Sequence, residues 1–374
     1  MGDKDDELKY LSEYLARIKA VAISIQLPSE CNIDKLSFED TRKAIVHYQG
    51  KDGDERRAIM YLPEEVSYSV TQVEHPVAET TNTISFRLPA VPNERGNGVK
   101  TSSFFDSSKL IIPWSASELT GFSGDIDVKC GNCSDLLGTH SNSMNWKQLP
   151  SENWAEMMDF WHCHKPENKN ETTHNPGYAI SRFVPTETTS FVGLSYFLFS
   201  PTLLSGTQHQ KNRHVHCNSC NTALGVNENN DSLKLWKWNL RLENSDLVPQ
   251  YKDYVYVSTM ISDLIDSHAI YTFSIKIDED PVDSPTRLLL WIFNPDVRYT
   301  TTGCTDKKSG FKIFYSTDKK NIPSLMQSRG DIEPVILPVK VYESFLAHLE
   351  TTSNVLPENY RWFGNWRASI AEKL

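Results

Sequence analysis

The sequence lacks long hydrophobic runs, since none of its apolar segments reaches the roughly 18 residues that a membrane-spanning helix needs. Its first residues, Met1 to Glu7, are acidic and carry none of the apolar segment of a signal peptide. Positive charge is also scarce, with 38 Lys and Arg against 48 Asp and Glu, a net charge of −10. Such a surface disfavours the phosphate backbone. We therefore expect no membrane partner and no direct binding to nucleic acid.

The local signatures of several enzyme classes are absent as well. The chain has no G-x-S-x-G, no H-E-x-x-H, no Walker loop and no dinucleotide-binding glycine motif. It does have a full complement of core-forming residues, including nine Trp, over 374 residues. This composition is typical of a folded protein of two or three domains, or of one large multilayer domain.

The clearest motif is a cysteine pattern that occurs twice. Cys130 and Cys133 begin C-x-x-C-x-x-x-L-G, and Cys217 and Cys220 begin the same nine-residue pattern. Two residues between cysteines let one tight turn direct both sulfurs to a single metal, and four sulfur ligands favour a closed tetrahedral Zn²⁺ site. The Leu is expected to pack beneath the turn, and the Gly to let the backbone leave it without Cβ strain. The sequence predicts one structural zinc held by Cys130, Cys133, Cys217 and Cys220.

Ordinary buried thiols or two disulfides are the alternatives to zinc, and the duplicated pattern argues against both. Closing the loop of residues 134–216 costs roughly 4 kcal/mol, whereas structural zinc supplies on the order of 10–16 kcal/mol. The odd total of seven cysteines leaves Cys31, Cys163 and Cys304 scattered. That pattern is typical of a reducing compartment, so we expect a cytoplasmic and/or nuclear protein.

Periodicity predicts a β-rich α+β fold. Strands are expected at residues 20–27, 42–48, 57–61, 83–88, 233–242, 270–277, 287–293 and 311–315, with a hairpin turn at Gly50 to Gly53 and a bulge between Leu235 and Trp236. Helical spacing is found at residues 8–18, 151–164, 255–266, 341–351 and 362–374. Three segments follow: an N-terminal antiparallel β domain (1–120), a zinc-knuckle β region with an inserted helix (121–245), and a C-terminal α+β region packed on the zinc region (246–374).

Several motifs together resemble a known family. They are Pro113-Trp-Ser-Ala-Ser, the first C-x-x-C, Asn153-Trp-x-Glu-x-x-x-x-Trp161-x-Cys163-His164, the second C-x-x-C-x-x-x-Leu-Gly, Lys234-Leu-Trp-Lys-Trp, Leu290-Trp-Ile-Phe-Asn294 and a Trp-rich C-terminus. From about Ile111 onward the chain resembles the HECT-like ubiquitin-conjugating-enzyme (E2)-binding family. The resemblance implies an E2 partner, ubiquitin transfer as a potential activity, and a link to the endonuclease of mRNA 3′-end processing and polyadenylation. The knuckles with their flanking strands are also similar to the zinc β-tent of yippee-like and cereblon-type domains.

Ubiquitin transfer of the HECT type requires an exposed cysteine outside the zinc site. Cys304 is the best candidate, because it follows a predicted buried strand in a polar loop with Lys307 and Lys308 nearby. An inert loop cysteine is the alternative, since no His or Asp partner is identifiable. Cys163 and His164 have three interpretations: a nucleophile with an adjacent imidazole, a second metal site together with His209, His214 or His216, or a core thiol beside a hydrogen-bonded histidine, which we favour.

Three functions remain open at this point. The first is a zinc-stabilised interaction scaffold that binds an E2 and/or the mRNA 3′-end endonuclease. The second is a ubiquitin-protein ligase that carries ubiquitin as a thioester on Cys304. The third, implied by the β-tent likeness, is a reader of small ligands or degrons with an aromatic pocket near Trp236 and Trp238. We take the scaffold as the prediction and the ligase as its alternative.

Overall fold

The computed structural model describes residues 8–68, 82–91, 111–151, 183–209, 213–228, 231–281 and 284–374. Two compact units are present: residues 1–107 together with 270–374, and residues 108–269. This grouping differs from the three predicted segments, because the N-terminal and C-terminal parts of the chain share one sheet. The predicted inserted helix at residues 151–164 lies almost entirely outside the described residues.

The N-terminal part of the first unit contributes six strands: β1 (Lys9–Leu15), β2 (Ala20–Gln26), β3 (Asn32–Asp40), β4 (Lys43–Gln49), β5 (Glu55–Tyr61) and β6 (Thr83–Pro89). The second unit contains α1 (Ala116–Thr120), β7 (Ile126–Cys130), β8 (Leu136–His140), β9 (Asn145–Gln148), β10 (Thr189–Val192), β11 (Tyr196–Phe199), β12 (Thr207–His209), β13 (His214–Cys217), β14 (Ala223–Asn227), β15 (Leu233–Trp236), β16 (Leu240–Glu243) and α2 (Asp253–His268). The first unit is completed by β17 (Thr272–Ile277), β18 (Leu288–Thr301), β19 (Lys308–Ser316), α3 (Ile322–Gln327), β20 (Glu333–Leu337), α4 (Val339–Val355), β21 (Trp362–Phe363) and β22 (Trp366–Glu372).

In the first unit the long strand β18 organises the main sheet, whose order is β21-β22-β19-β18-β1-β2-β6. Irregular pairing after Ile292 bends β18, so that its first half pairs with β17 and its second half with β1. A smaller antiparallel sheet, β3-β4-β5, packs on β1, β2 and β6 around Val21, Ile23, Val46 and Met60, each at most 1% exposed. The prediction of antiparallel β structure in the N-terminal part is confirmed.

Two predicted helices are wrong. Leu8 to Ile18 forms β1 and a 3-10 turn, and the C-terminal segment from Trp362 forms β21 and β22. Both main strands lie inside the sheet and are buried on both faces, so neither shows the alternation of a half-buried strand. A spacing of four residues keeps side chains on one face of a strand as well as of a helix, because four is a multiple of two.

The remaining element predictions fare better. The helices predicted at 255–266 and 341–351 are α2 and α4, and Gly53 turns the β4–β5 hairpin at a φ of 79°. The strand predicted at 233–242 is divided by a 3-10 turn, Lys237–Asn239, rather than by a bulge. Its two halves, β15 and β16, belong to different sheets. Among the described residues, no helix combines the length and the apolar composition that crossing a membrane requires.

In the second unit the two sheets each carry one cysteine knuckle. The larger sheet has the order β12-β13-β14-β15-β11-β10-β9, and the smaller one the order β16-β7-β8. β15 pairs with β14, and β16 pairs with β7. The chain that passes through the Lys237–Asn239 turn is therefore hydrogen-bonded to both knuckle hairpins.

Candidate metal centre

Each knuckle is the turn of a β-hairpin, the first between β7 and β8 and the second between β13 and β14. The amide of Ser134 donates to the carbonyl oxygen of Cys130 at 2.9 Å, and the amide of Asn221 donates to that of Cys217 at 3.0 Å. Ser134 and Asn221 also share a left-handed backbone, with φ of 62° and 57°. The sequence repeat is thus a structural repeat, with the same turn closed by the same hydrogen bond.

The Leu-Gly pair that ends each motif has two separate roles. Leu137 and Leu224 are fully buried beneath their turns, as the sequence predicted. Gly138 and Gly225 are needed because the main chain approaches them closely. A Cβ on Gly225 would collide with the carbonyl oxygen of Lys234 in the adjacent strand, and a main-chain oxygen blocks the same position at Gly138. Close approach, rather than relief of strain at the turn, explains the glycines.

The four sulfur atoms converge. The Sγ atoms of Cys130 and Cys220 lie 3.7 Å apart, as do those of Cys133 and Cys217, and all four ligand atoms lie within 4.8 Å of one another. Each 3.7 Å pair joins one knuckle to the other. A tetrahedral ion with sulfur ligands at about 2.3 Å requires sulfur–sulfur separations of about 3.8 Å. The arrangement can therefore hold a metal ion.

The four thiols differ in exposure, and their surroundings shift the pKa values in different directions. Cys130 and Cys217 are buried, Cys220 is half-buried and Cys133 is exposed. Burial raises the pKa of Cys130. Hydrogen bonds from the side chain and the amide of Thr222 lower the pKa of Cys220 to about 6, with the Thr222 hydroxyl 3.2 Å from the sulfur. Because four thiolates this close repel one another, a bound cation is what would let all of them ionise.

Polar residues in the turns link the two knuckles, and the sequence analysis missed them. The Ser219 hydroxyl of the second knuckle donates to the carboxylate of Asp135 in the first. The Gly131 amide donates to the carbonyl oxygen of Asn239, in the turn between β15 and β16, at 2.8 Å. Asp135 and Thr222 both stand two residues after the second cysteine of their knuckle. An oxygen-bearing side chain at that shared position is the sequence signal that could have identified these polar residues.

Cys304, the predicted nucleophile of the ligase alternative, lies in the other unit, in the turn between β18 and β19. It is half-buried, and its thiol donates to the carbonyl oxygen of Asp306 at 3.1 Å. In the described part of the chain no side chain makes a hydrogen bond with this thiol. Cys304 also borders a cavity of about 420 Å³ lined by Tyr10, Tyr48 and Tyr61. No general base is placed next to the sulfur by these contacts.

The structure describes only part of the predicted histidine-based second site. Cys163 and His164 lie outside the described residues, as does the side chain of His209. The rings of His214 and His216 are 6.2 Å apart. Within the described ranges, the four cysteines are the only group of three or more metal-ligating side chains close enough to share an ion.

The tryptophans of the suggested aromatic pocket contact each other. Trp236 and Trp238 are stacked with their ring centroids 5.3 Å apart, and Tyr196 meets Trp236 edge to face at 6.0 Å. The ammonium group of Lys234 lies 4.0 Å from the Tyr196 ring centroid. The chain's own side chains therefore occupy these ring faces.

The fold and the cysteine cluster define a β-rich protein with a four-thiol metal-type centre between two hairpins. The sequence profile of the family described as "HECT-like Ubiquitin-conjugating enzyme (E2)-binding" matches residues 13–368, and the chain belongs to this family. This confirms the resemblance and extends it to the N-terminal strands.

Similar proteins come from fungi and mammals. An uncharacterized protein of Saccharomyces cerevisiae is 25% identical over 98% of this chain and 100% of its own length. An uncharacterized protein of Schizosaccharomyces pombe is 26% identical over 72% of this chain and 79% of its own length. The human E3 ubiquitin-protein ligase E3D is 23% identical over 64% of this chain and 71% of its own length. No solved structure matches the chain.

Proposed function

We propose that this protein is a zinc-stabilised scaffold that binds a ubiquitin-conjugating enzyme in the cytoplasm and/or nucleus. The observation that carries the proposal is the match to the E2-binding family over residues 13–368, which takes in both knuckles and both units. The endonuclease of mRNA 3′-end processing is a second proposed partner. It rests only on the resemblance between the sequence motifs and the family.

Zinc is the proposed ion because of the ligand set. Four sulfur donors, with two pairs 3.7 Å apart and all four within 4.8 Å of one another, fit a tetrahedral ion. Sulfur ligands also select zinc over the oxygen-preferring magnesium and calcium. Four protein ligands would leave no open coordination position, so the proposed role is structural. The ion would join the β7–β8 hairpin to the β13–β14 hairpin.

Metal analysis of the purified protein tests the zinc proposal. We expect about one equivalent of zinc in the wild type, and less than a tenth of that in Cys217→Ser, together with a lower unfolding midpoint. Cys31→Ser is the matched control, because Cys31 is also a buried thiol but lies outside the cluster. The proposal would be contradicted if the wild-type protein contained no metal, were folded, and had the same unfolding midpoint as Cys217→Ser.

Direct binding tests the partner. Recombinant ubiquitin-conjugating enzymes and the 3′-end endonuclease are measured separately against the immobilised full-length chain. We expect at least one E2 to bind with a dissociation constant in the micromolar range or tighter, as for a specific protein pair. Failure of every E2 to bind the zinc-loaded protein would refute the scaffold function, whatever the endonuclease does.

A transfer assay separates the scaffold from the ligase alternative. An E2 charged with ubiquitin is mixed with the chain, and products are resolved without and with reducing agent. A scaffold yields binding and no adduct. A ligase yields a reducible ubiquitin adduct that Cys304→Ala removes and Thr305→Ala preserves. The thiol's contact with a carbonyl oxygen rather than with a basic side chain favours the first outcome.

A further inference from the structure

One face of the main sheet carries a connected group of aromatic rings. Trp291, Phe293, Phe314 and Phe363 are linked by ring-centroid separations of 5.2–6.3 Å and form what we call the aromatic shelf. They project from β18, β19 and β21, at the end of the sheet where β21 is the outermost described strand. The buried Trp366 lies against Trp291 at 6.1 Å.

The shelf is covered at one end and open at the other. Residues of α3, among them Ile322 and Met326, pack on the Trp291 and Trp366 end. At the open end Phe293 and Phe363 are each 57% exposed. Phe293 and Phe363 each contact both Trp291 and Phe314, so the two exposed rings belong to one connected apolar patch. Single exposed apolar residues are common, but a connected exposed patch marks an interaction site. Aromatic side chains are also enriched among the residues that dominate binding energy.

A positively charged side chain lies against the aromatic shelf. The guanidinium of Arg329 lies 3.4 Å from the ring centroid of Trp291 and 5.5 Å from that of Trp366. Its Nε is buried and without a hydrogen-bond partner, and it forms no ion pair with any carboxylate among the described residues. A guanidinium stacked on a ring can still make a bidentate contact with a carboxylate through its two terminal Nη atoms. The shelf therefore combines apolar ring faces with one unmatched positive charge.

This combination determines what can bind there. Packing of two shelves against each other would put two Arg329 charges into one interface, and none of the four rings supplies an acid to pair with them. A nucleic-acid strand requires a row of cations along its backbone, and the shelf supplies a single one. An apolar side chain beside an Asp or Glu on another protein satisfies both the rings and the charge.

We propose that the aromatic shelf and Arg329 dock the ubiquitin-conjugating enzyme, through an apolar side chain of that enzyme flanked by a carboxylate. The inference rests on the proposed function and names the surface that serves it. The shelf and the cysteine cluster lie in different units of the chain, so partner binding and metal binding are separable by mutation.

The test uses an E2 that binds the wild-type chain. Phe293→Ser and Phe363→Ser should each weaken the dissociation constant about tenfold or more, as for truncated aromatic anchors. Arg329→Gln should do the same, and Arg329→Lys should lose less, because it keeps the charge without the planar fork. The matched controls are Ile18→Ser, a residue 58% exposed outside the shelf, and the exposed Arg57→Gln. Both should bind as wild type.

Each outcome is decisive. Shelf variants that bind an E2 as tightly as the wild type overturn the shelf and leave the scaffold function standing. An E2 panel with no binder overturns both. A wild-type chain that sediments as a dimer, and becomes monomeric in Phe293→Ser, assigns the shelf to self-association and overturns the proposal. Thermal unfolding checks that the variants are folded, and the exposure of Phe293 and Phe363 predicts midpoints close to wild type for those two variants.

Discussion

Replacing Lys312 by Met should destabilise the first unit strongly, because it leaves a buried carboxylate unpaired. Lys312 in β19 contacts Glu13 in β1 at 2.8 Å, and the two side chains are only 16% and 7% exposed. The other carboxylate oxygen of Glu13 has no hydrogen-bond partner in the described part of the chain. Removing one member of a buried pair costs about 3–5 kcal/mol.

Urea unfolding of three variants at pH 7 measures this loss. The double variant Glu13→Gln with Lys312→Met should recover most of the loss, because no charge stays buried. Lys43→Met breaks the more exposed pair with Glu39, at 24% and 53% exposure, and should cost less than about 1 kcal/mol. A loss below about 1 kcal/mol in Lys312→Met would refute the reasoning.

Two further predictions concern the knuckles and acid stability. Gly225→Ala places a methyl group against the Lys234 carbonyl oxygen and 2.8 Å from the Leu235 Cα. We expect a destabilisation of at least about 2 kcal/mol in urea unfolding and a reduced metal content in metal analysis. Gly330→Ala is the neutral control in both assays, because the space around Gly330 is open. The Glu372 amide donates to His348 Nε2 at 3.2 Å, and burial lowers the pKa of His348 to about 4. As the pH decreases from 6.5 to 4, His348 takes up a proton in the unfolded chain before it does so in the folded chain. The free energy of unfolding therefore decreases by up to about 3 kcal/mol over this range. In unfolding measured as a function of pH, His348→Gln should remove this contribution to the loss of stability in acid. The contribution of His140 should stay, because burial also lowers the pKa of His140 to about 4. An unchanged dependence of stability on pH would contradict the assignment.

The cysteine cluster was predictable because its information is local. Each pair of ligands lies within four residues, and the repeat of Leu and Gly marks both turns as equivalent. The Glu13–Lys312 pair shows the opposite case. Its partners stand 299 positions apart, and they meet only because β1 and β19 flank β18. No local sequence pattern in either strand predicts that pairing.

The two wrong helices have the same origin. Residues 8–18 and 362–374 carry apolar residues on both faces, because β1 and β22 have a neighbour on each side and a covering layer. The Ser369 hydroxyl of β22 donates to the Leu349 carbonyl oxygen of α4 at 2.7 Å. The spacing of Trp366 and Ile370 is compatible with strand and helix alike. Only the sheet order resolves the choice, and sheet order depends on long-range pairing.

The strand order of the second unit also bears on how tightly a metal would bind. β15 pairs with the second knuckle hairpin, β16 pairs with the first, and the Lys237–Asn239 turn joins them. The Ser219–Asp135 hydrogen bond links the turns directly. Backbone pairing therefore holds the hairpins within reach of each other before any ion arrives. A zinc-finger peptide, in contrast, spends part of its binding free energy on folding. We accordingly expect the cluster to bind zinc more tightly than an isolated peptide carrying one knuckle, and breaking the β16–β7 pairing should weaken that affinity without touching a cysteine.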